Sequence, residues 1–417
     1  MRTTQSKFPH SIRAILATTV AAVALLASAA PASTTKLIYS FAGGNDGEYL
    51  DTDLVIDSAG NLYGSTVQGG DFSSGTVFQL SRSGAGWTHT VLYSFTGGAD
   101  GAEPYKGVTL DTHGNIYGTT VSGGGGSCEG GCGVVFKLTN SGGTWTQTVI
   151  HQFTGGSDGS GPGSGLTFDR QGNLYGMTPT GGTYGLGVVY QLQPQTKGTA
   201  NATWTLNVVH AFTGGDDGSS ASAGRLILHA GNLYGVTTVG GAHGDGIVFE
   251  ITHAHGTWKL TPLYAFKDQP DGALPYGGVI FDKAGNLYGT TYYAGVHDVG
   301  TVYKLTHAHG KWTETVLYSF KGGNDGSSPI STLVSDEAGN LYGTTSAGGT
   351  QCDCGVIFKL SPNANGTWTE TVPHRFPGSP GAGFSYNGMV AGGAGEFYGP
   401  TTHGGPTNNG TIYKFTP

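Results

Sequence analysis

Three histidines (His243, His297 and His403), the pair Tyr292 and Tyr293, and Lys106 are the side chains best suited to move protons here. A histidine beside a tyrosine or lysine can abstract a proton or protonate a leaving group, as a polysaccharide lyase requires. Asp46, Asp100, Asp158, Asp217 and Asp325 recur in G-G-x-D-G, and Asp271 in the variant Gln269-Pro270-Asp271-Gly272. Six carboxylates near one rim would suit Ca²⁺ or sugar hydroxyls, and pairs of them could serve glycoside hydrolysis. Nothing in the sequence selects one pair, however, and an Asp-Gly step also builds a tight turn. Recurrence in six copies favours the turn. Tyr49, Tyr105, Tyr276 and Tyr386 follow this loop irregularly, offering rings to sugar faces or packing between repeats.

Two further constellations have metal-ligand types. His253/His255 and His307/His309 form duplicated H-A-H triplets, a spacing that suits a transition metal, but their shared T-H-A-H-G-x-W context reads as a duplication. Cys128/Cys132 and Cys352/Cys354 occupy the same loop of their repeats, four repeats apart. Local disulfides, Cys128–Cys132 and Cys352–Cys354, are expected rather than a zinc site. The chain has no nucleophile elbow, P-loop or dinucleotide fingerprint; its G-x-G strings precede no helical pattern. No resident cofactor is expected, with Ca²⁺ the one cation the acidic rim would take.

The elements that must position these groups come from a repeat. N-[LI]-Y-G or a near copy occurs seven times, with tyrosines at Tyr63, Tyr117, Tyr175, Tyr234, Tyr288, Tyr342 and Tyr398, spaced 54 to 59 residues apart. A period of this size in β-type residues marks an array of supersecondary units. Each unit contains four β-like runs, as in Val279 to Phe320. A D-x-x-G-N turn separates the first two, and the last, Trp312 to Phe320, alternates with period two. No apolar stripe has the 3.6-residue period of a helix. Four short antiparallel strands with a hydrophobic face describe a propeller blade.

The ends complete the count. Lys36 to Phe41 is a fourth-type strand preceding any first-type strand, and Tyr413-Lys414-Phe415 is a third-type strand with no fourth after it. Pairing the two gives every blade four strands and leaves no open sheet edge. The fold class expected is all-β: a seven-bladed β-propeller, four antiparallel strands per blade, closed by the N-terminal strand on the C-terminal blade. Residues 33–417 would form that single domain.

Residues 1–32 read as a secretory signal peptide. Arg2, Lys7 and Arg13 precede an apolar stretch from Ala14 to Ala30, and A-x-A patterns follow. Cleavage would take the formal net charge from −8 to −11 by removing three basic residues and no acidic ones. Without a Lys/Arg cluster, a nucleic-acid partner is not expected. No other segment approaches membrane-spanning length. Of 417 residues 77 are glycine, held at fixed repeat positions between aromatic and β-branched runs, which is turn chemistry rather than a flexible tract.

D-x-x-G-N-L-Y-G-T-T, then G-T-V-F-K-L-T, then W-T-x-T-V-L-Y-S-F-x-G-G-x-D-G resembles the GloVer-type tandem repeat of exported bacterial proteins, over all seven repeats. The D-x-x-G-N-[LI]-Y element also resembles the turn of NHL-class propellers. The resemblance implies a secreted β-propeller and lends no activity. Members with a C-terminal sorting segment resemble anchored surface proteins; ending at Pro417 inside a repeat, this chain is not expected to carry that anchor. The resulting expectation is an exported, secreted or periplasmic monomer that binds a glycan or an envelope protein without catalysis. The alternative is a polysaccharide lyase or glycoside hydrolase using the residues that break the repeat.

Overall fold

The computed structural model describes residues 33–84, 86–195, 203–221, 224–349 and 352–417. The segment assigned as a signal peptide lies outside them. Ser33–Pro417 is one compact unit. Blade 5 shows the pattern: Ile280–Phe281, Leu287–Thr291, Thr301–Ala308 and Lys311–Ser319 pair antiparallel in chain order, from the axis outward. Among the described residues seven such sheets occur. The period-two alternation of the fourth strand holds from Trp312 to Val316, and then a bulge opposite Val302 and Tyr303 shifts the register. The seventh sheet is completed by the chain's first strand. Thr34–Ser40 pairs antiparallel with Thr411–Thr416, from Thr34 opposite Thr416 to Ser40 opposite Thr411.

Closure of the ring is visible in the core. Buried apolar residues fall into seven clusters, each shared by two neighbouring blades. At the seam Phe41, Tyr398 and Ile412 pack with Leu54, Leu62 and Phe78, so the last blade meets the first as the others meet one another. No blade could bury its faces alone, which makes the ring the unit of stability.

The repeated tetrapeptide has a specific task. In five blades the tyrosine hydroxyl reaches back to the hairpin aspartate: Tyr63 to Asp57 at 3.0 Å, Tyr117 to Asp111 at 3.2 Å, Tyr175 to Asp169 at 3.1 Å, and Tyr288 to Asp282 and Tyr342 to Asp336 at 3.0 Å. The same carboxylate accepts the side-chain and backbone N–H groups of the turn asparagine, such as Asn286. These donors hold the Asp57, Asp282 and Asp336 carboxyls below the usual carboxylate range despite the opposing effect of burial. Blades 4 and 7 substitute Glu250 and Glu396 as the acceptors of Tyr234 and Tyr398. The glycine after the tyrosine lets the third strand's aromatic lie flat beneath it. A Cβ on Gly289 would stand 2.3 Å from the Tyr303 hydroxyl. Removing one hydroxyl, as in Tyr288→Phe, is expected to cost about 1–2 kcal/mol, read from denaturant midpoints at constant slope.

A second repeated device aims residues at the axis. Tyr49, Glu103, Gly161, Ser220, Leu274, Ser328 and Phe384 occupy one position per blade, all left-handed with φ between 55 and 59°. Each donates its N–H to a carbonyl of the preceding blade, for example Leu274 to Asp245 at 3.0 Å and Ser328 to Val299 at 2.8 Å. This strap fixes the entry of each innermost strand, so the residue two places later faces the channel.

Candidate functional site

That channel-facing position holds Asp51, Tyr105, Gly163, Tyr276, Ile330 and Tyr386 in the six blades described there; its blade 4 counterpart lies outside the described residues. The next position normally turns back into its own blade. Thr52, Ser164 and Ser331 use their hydroxyls to accept the N–H of Ser65, Met177 and Thr344 at 2.8–3.0 Å. Blade 2 departs here. Its innermost strand bulges between Pro104 and Val108, and Lys106 and Gly107 both take left-handed backbone, with φ 57 and 78°. The flip sends Lys106 into the channel, where Nζ donates to Asp51 Oδ1 at 3.0 Å and Asn387 Oδ1 at 3.1 Å. Left-handed backbone at a non-glycine residue is tolerated where surrounding contacts over-determine it. The Lys106 N–H bonded to the Asp51 carbonyl at 2.9 Å is one of those contacts.

One step deeper, each blade contributes the residue before its buried Leu, Val or Met: Asp53, Gly107, Gly165, Arg225, Gly278, Thr332 and Gly388. The strands nearly touch at this level. A Cβ on Gly107 would stand 2.2 Å from the Asp53 carbonyl oxygen, and one on Gly388 would stand 2.8 Å from that of Thr332. Arg225 reaches past blade 3 to donate to the Val108 carbonyl at 3.1 Å. Asp53, Lys106, Tyr276, Ile330, Tyr386 and Asn387 surround a recess with about 210 Å³ of empty space, its open mouth included.

Tyr276 and Tyr386 line this recess, with Tyr105 and Tyr292 beside its lining residues. The Lys106 ammonium lies 5.1 Å from the Tyr105 ring centre, Tyr276 meets Tyr292 edge-to-face at 5.3 Å, and Tyr386 stands near Tyr292. Burial pushes the Tyr105 hydroxyl up to about 12, with Lys106 opposing and Asp51 adding to the rise. Burial alone would lower the Lys106 ammonium, but Asp51, then Tyr105 and Asp53, hold it above the usual lysine range. Burial raises the Asp53 carboxyl against the pull of Lys106 and Arg225. Lys106 therefore keeps its proton at neutral pH, which makes it a donor and a poor base. Lys106→Met would strand Asp51 and Asp53 beside no ammonium. We expect it to cost about 2 kcal/mol, less than for a fully buried pair, with much of the loss recovered in Lys106→Met/Asp51→Asn by chemical denaturation.

The sequence candidates separate. Tyr105, Tyr276, Tyr386, Tyr292 and Lys106 come together at the channel mouth. Tyr49 does not join them: it sits two places earlier on the strap and packs edge-on against His403, which also contacts Phe384. His243, near Asp245, and His297 are exposed on rim loops, as is Tyr293. Contacts between Tyr49 and His403 put the fourth-to-first and second-to-third loops on one face. Asp51, Asp53, Arg225 and Asn387 were missed by sequence reasoning. Their signal was available: in register, other blades place glycine or threonine at the positions of Asp53 and Arg225, and, apart from Lys106, glycine, serine or threonine at that of Asn387.

The carboxylates of the D-G turns are committed to their own loops. Each accepts a hydroxyl or imidazole from seven residues earlier: Tyr39 to Asp46 at 2.7 Å, Tyr93 to Asp100 at 2.9 Å, His151 to Asp158 at 3.2 Å, His210 to Asp217 at 2.8 Å, Tyr318 to Asp325 at 2.7 Å, and Tyr264 to Asp271. Five of them, all but Asp271, also accept the N–H four residues earlier. The shared geometry marks the ring as architecture, and added Ca²⁺ or chelator is expected to leave the thermal midpoint unmoved.

The H-A-H triplets divide their histidines between two structural tasks. His253 and His307, at the ends of third strands, lie against Trp258 and Trp312, with ring centres 4.2 and 4.9 Å apart. His255 and His309 are exposed at the tips of the hairpins that follow. Both take left-handed backbone with φ 53°, and the next residues, Gly256 and Gly310, are left-handed too, with φ 76 and 75°. Two successive positive φ values make the tight two-residue turn that a twisted hairpin favours. The i, i+2 spacing of His253 and His255, and of His307 and His309, is that of a strand end followed by a two-residue hairpin turn. Among the described residues no group of three or more His, Cys, Asp or Glu is placed to hold a metal. Both disulfides, Cys128–Cys132 and Cys352–Cys354, are formed, which fits an oxidising compartment. No helix among the described residues is long and apolar enough to cross a membrane.

Fold and site together define a seven-bladed β-propeller whose repeat symmetry is broken at the mouth of its channel. The Gloeobacter/Verrucomicrobia repeat model matches residues 24–206, 126–322 and 263–417, and the chain belongs to that family. No curated protein matches it. Among solved structures it is similar to a protein from Lactobacillus plantarum, at TM-score 0.54 and 14% identity over 84% of this chain and 90% of that one. It is also similar to a candidate 6-phosphogluconolactonase from Bacteroides uniformis, at TM-score 0.51 and 14% identity over 77% and 83%. At these identities the likeness concerns the fold alone.

Proposed function

We propose that the protein is an exported, monomeric, non-catalytic module that binds glycans at the channel mouth. One observation carries the reading: residues that depart from the repeat in blades 1, 2, 5 and 7 converge there, with Tyr105, Tyr276, Tyr292 and Tyr386 around the Lys106–Asp51 pair. Tyrosine rings supply apolar faces for the C–H side of a sugar, while a fixed ammonium, carboxylate and amide supply partners for its hydroxyls. A held lysine proton suits a binder better than a lyase. Export rests on the signal-peptide pattern and is supported by the two disulfides.

The test is retention of the mature chain on a polysaccharide panel, followed by an assay of the bound material. Tyr276→Ala/Tyr386→Ala is expected to weaken binding at least tenfold. New reducing ends or absorbance from unsaturated sugars would replace this reading with the enzyme. Retention on envelope proteins but on no polysaccharide would replace the glycan with a protein partner.

A further inference from the structure

The recess is a cup and not a tunnel. At its floor the innermost strands of neighbouring blades are in contact: a Cβ on Gly224 would stand 2.4 Å from the Gly278 nitrogen, and one on Gly277 would stand 2.4 Å from the Ser331 carbonyl oxygen. Arg225 crosses the remaining space to Val108, and Gly278 N–H closes on Thr332 Oγ1 at 2.9 Å. Nothing as wide as a sugar ring can thread through. The cup is also shallow, and much of its empty space is open to solvent, so it receives what is presented at its mouth and does not engulf a ligand. A linear polymer can present such a site with one end and no more.

The polar equipment of the cup matches one chemical feature of that end. Two hydroxyls on adjacent ring carbons offer a donor and an acceptor side by side. Lys106 Nζ and Asp51 Oδ1, 3.0 Å apart, offer the complementary donor and acceptor at similar spacing. Nζ uses two of its three hydrogens on Asp51 and Asn387, leaving one for a ligand. The Asn387 amide donates to the Leu50 carbonyl at 3.5 Å across the seam, so the acceptor that positions Lys106 is tied to blade 1. Resting on the glycan reading above, we propose that the site recognises the terminal pyranose of a chain end-on, through an unsubstituted vicinal diol held by Lys106 and Asp51 and flanked by Tyr276 and Tyr386.

The experiment uses β-1,3-linked gluco- and galacto-oligosaccharides of increasing length, whose internal rings carry no vicinal diol. These are compared with the methyl glycosides of glucose, galactose and mannose by calorimetry on the mature chain. End-on binding predicts affinity per mole of chain that is flat with length, competition by a methyl glycoside, and at least tenfold loss after periodate oxidation of the termini. Lys106→Met/Asp51→Asn should lose the same tenfold while keeping the cooperative melt of the parent. Affinity that climbs with length, or survives periodate, overturns end-on recognition and leaves glycan binding standing. No binding to these sugars or to the polysaccharide panel overturns both.

Discussion

Deleting residues 33–41 is expected to abolish cooperative folding, although the segment amounts to a single strand. The deletion leaves Thr411–Thr416 paired on one side only, with Phe397–Thr401, and turns it into an open sheet edge. It also takes Phe41 out of the cluster joining blades 7 and 1, where its ring lies 5.1 Å from Phe78. Phe41→Ala alone should cost about 3–5 kcal/mol, a large part of a typical domain's net stability. Losing the strand as well opens the ring and exposes a sheet edge prone to pairing with another chain. Circular dichroism melts and size-exclusion profiles of full-length and truncated mature chains would decide. A truncated monomer melting within a few degrees of the parent would mean that the seam contributes little.

A fall in stability between about pH 4.5 and 7 is the second large effect expected, and its origin is two glutamates at neighbouring blade junctions. Glu314 and Glu370 occupy the third position of their W-T-x-T strands, facing the D-G turn of the preceding junction. In blade 1 that position is His89, 3.1 Å from Asp46. Glu314 instead faces Asp271, with Lys267, Tyr264 and Tyr303 around the pair; Glu370 faces Asp325, with Lys321, Arg375 and Tyr318 nearby. No N–H or O–H donor among the described residues reaches Oε1 of either glutamate. Burial first, then the neighbouring aspartate, pushes both carboxyls up to about 7 from the ordinary 4.5.

As pH rises through 4.5 the unfolded chain releases these protons while the folded chain keeps them. Their contribution is full below 4.5 and is lost by about 7. Both groups retain some solvent contact, so each accounts for roughly 1–2 kcal/mol, less than the full shift would imply. His151 and His374, held neutral mainly by burial, act oppositely as pH falls through 6.5, so the informative quantity is a difference. Glu314→Gln/Glu370→Gln should melt over pH 5 to 8 with a smaller loss than the parent, the two curves diverging as pH rises. Parallel curves would show that the carboxyls ionise without consequence.

The protein's architecture could be read from sequence because it is local and repeated. Asp57, Gly60, Asn61 and Tyr63 lie within seven residues of one another, and their hydrogen-bonded turn is a short-range object with a short-range signature. Blade number, strand count and the pairing of Lys36 to Phe41 with the last strand follow from counting such objects and from the cost of an open edge. The same repetition explains the six D-G aspartates, whose partners stand at a fixed offset of seven residues and, in all but Asp271, also of four. It could not say whether the carboxylates were left free for a ligand. That depended on the hydroxyl and N–H groups that reach them in three dimensions.

The channel mouth belongs to tertiary structure. Asp51, Lys106, Tyr276 and Asn387 are drawn from four blades, and no spacing within a repeat relates them. They meet because ring closure brings one position of every blade to a common axis, and because a left-handed turn at Lys106 reverses a side chain that the repeat would have sent into its own sheet. Sequence alone determined what each blade is, since a blade is held by neighbours along the chain. Which irregular residues face one another, and hence where a ligand can be held, was decided only when the ends joined.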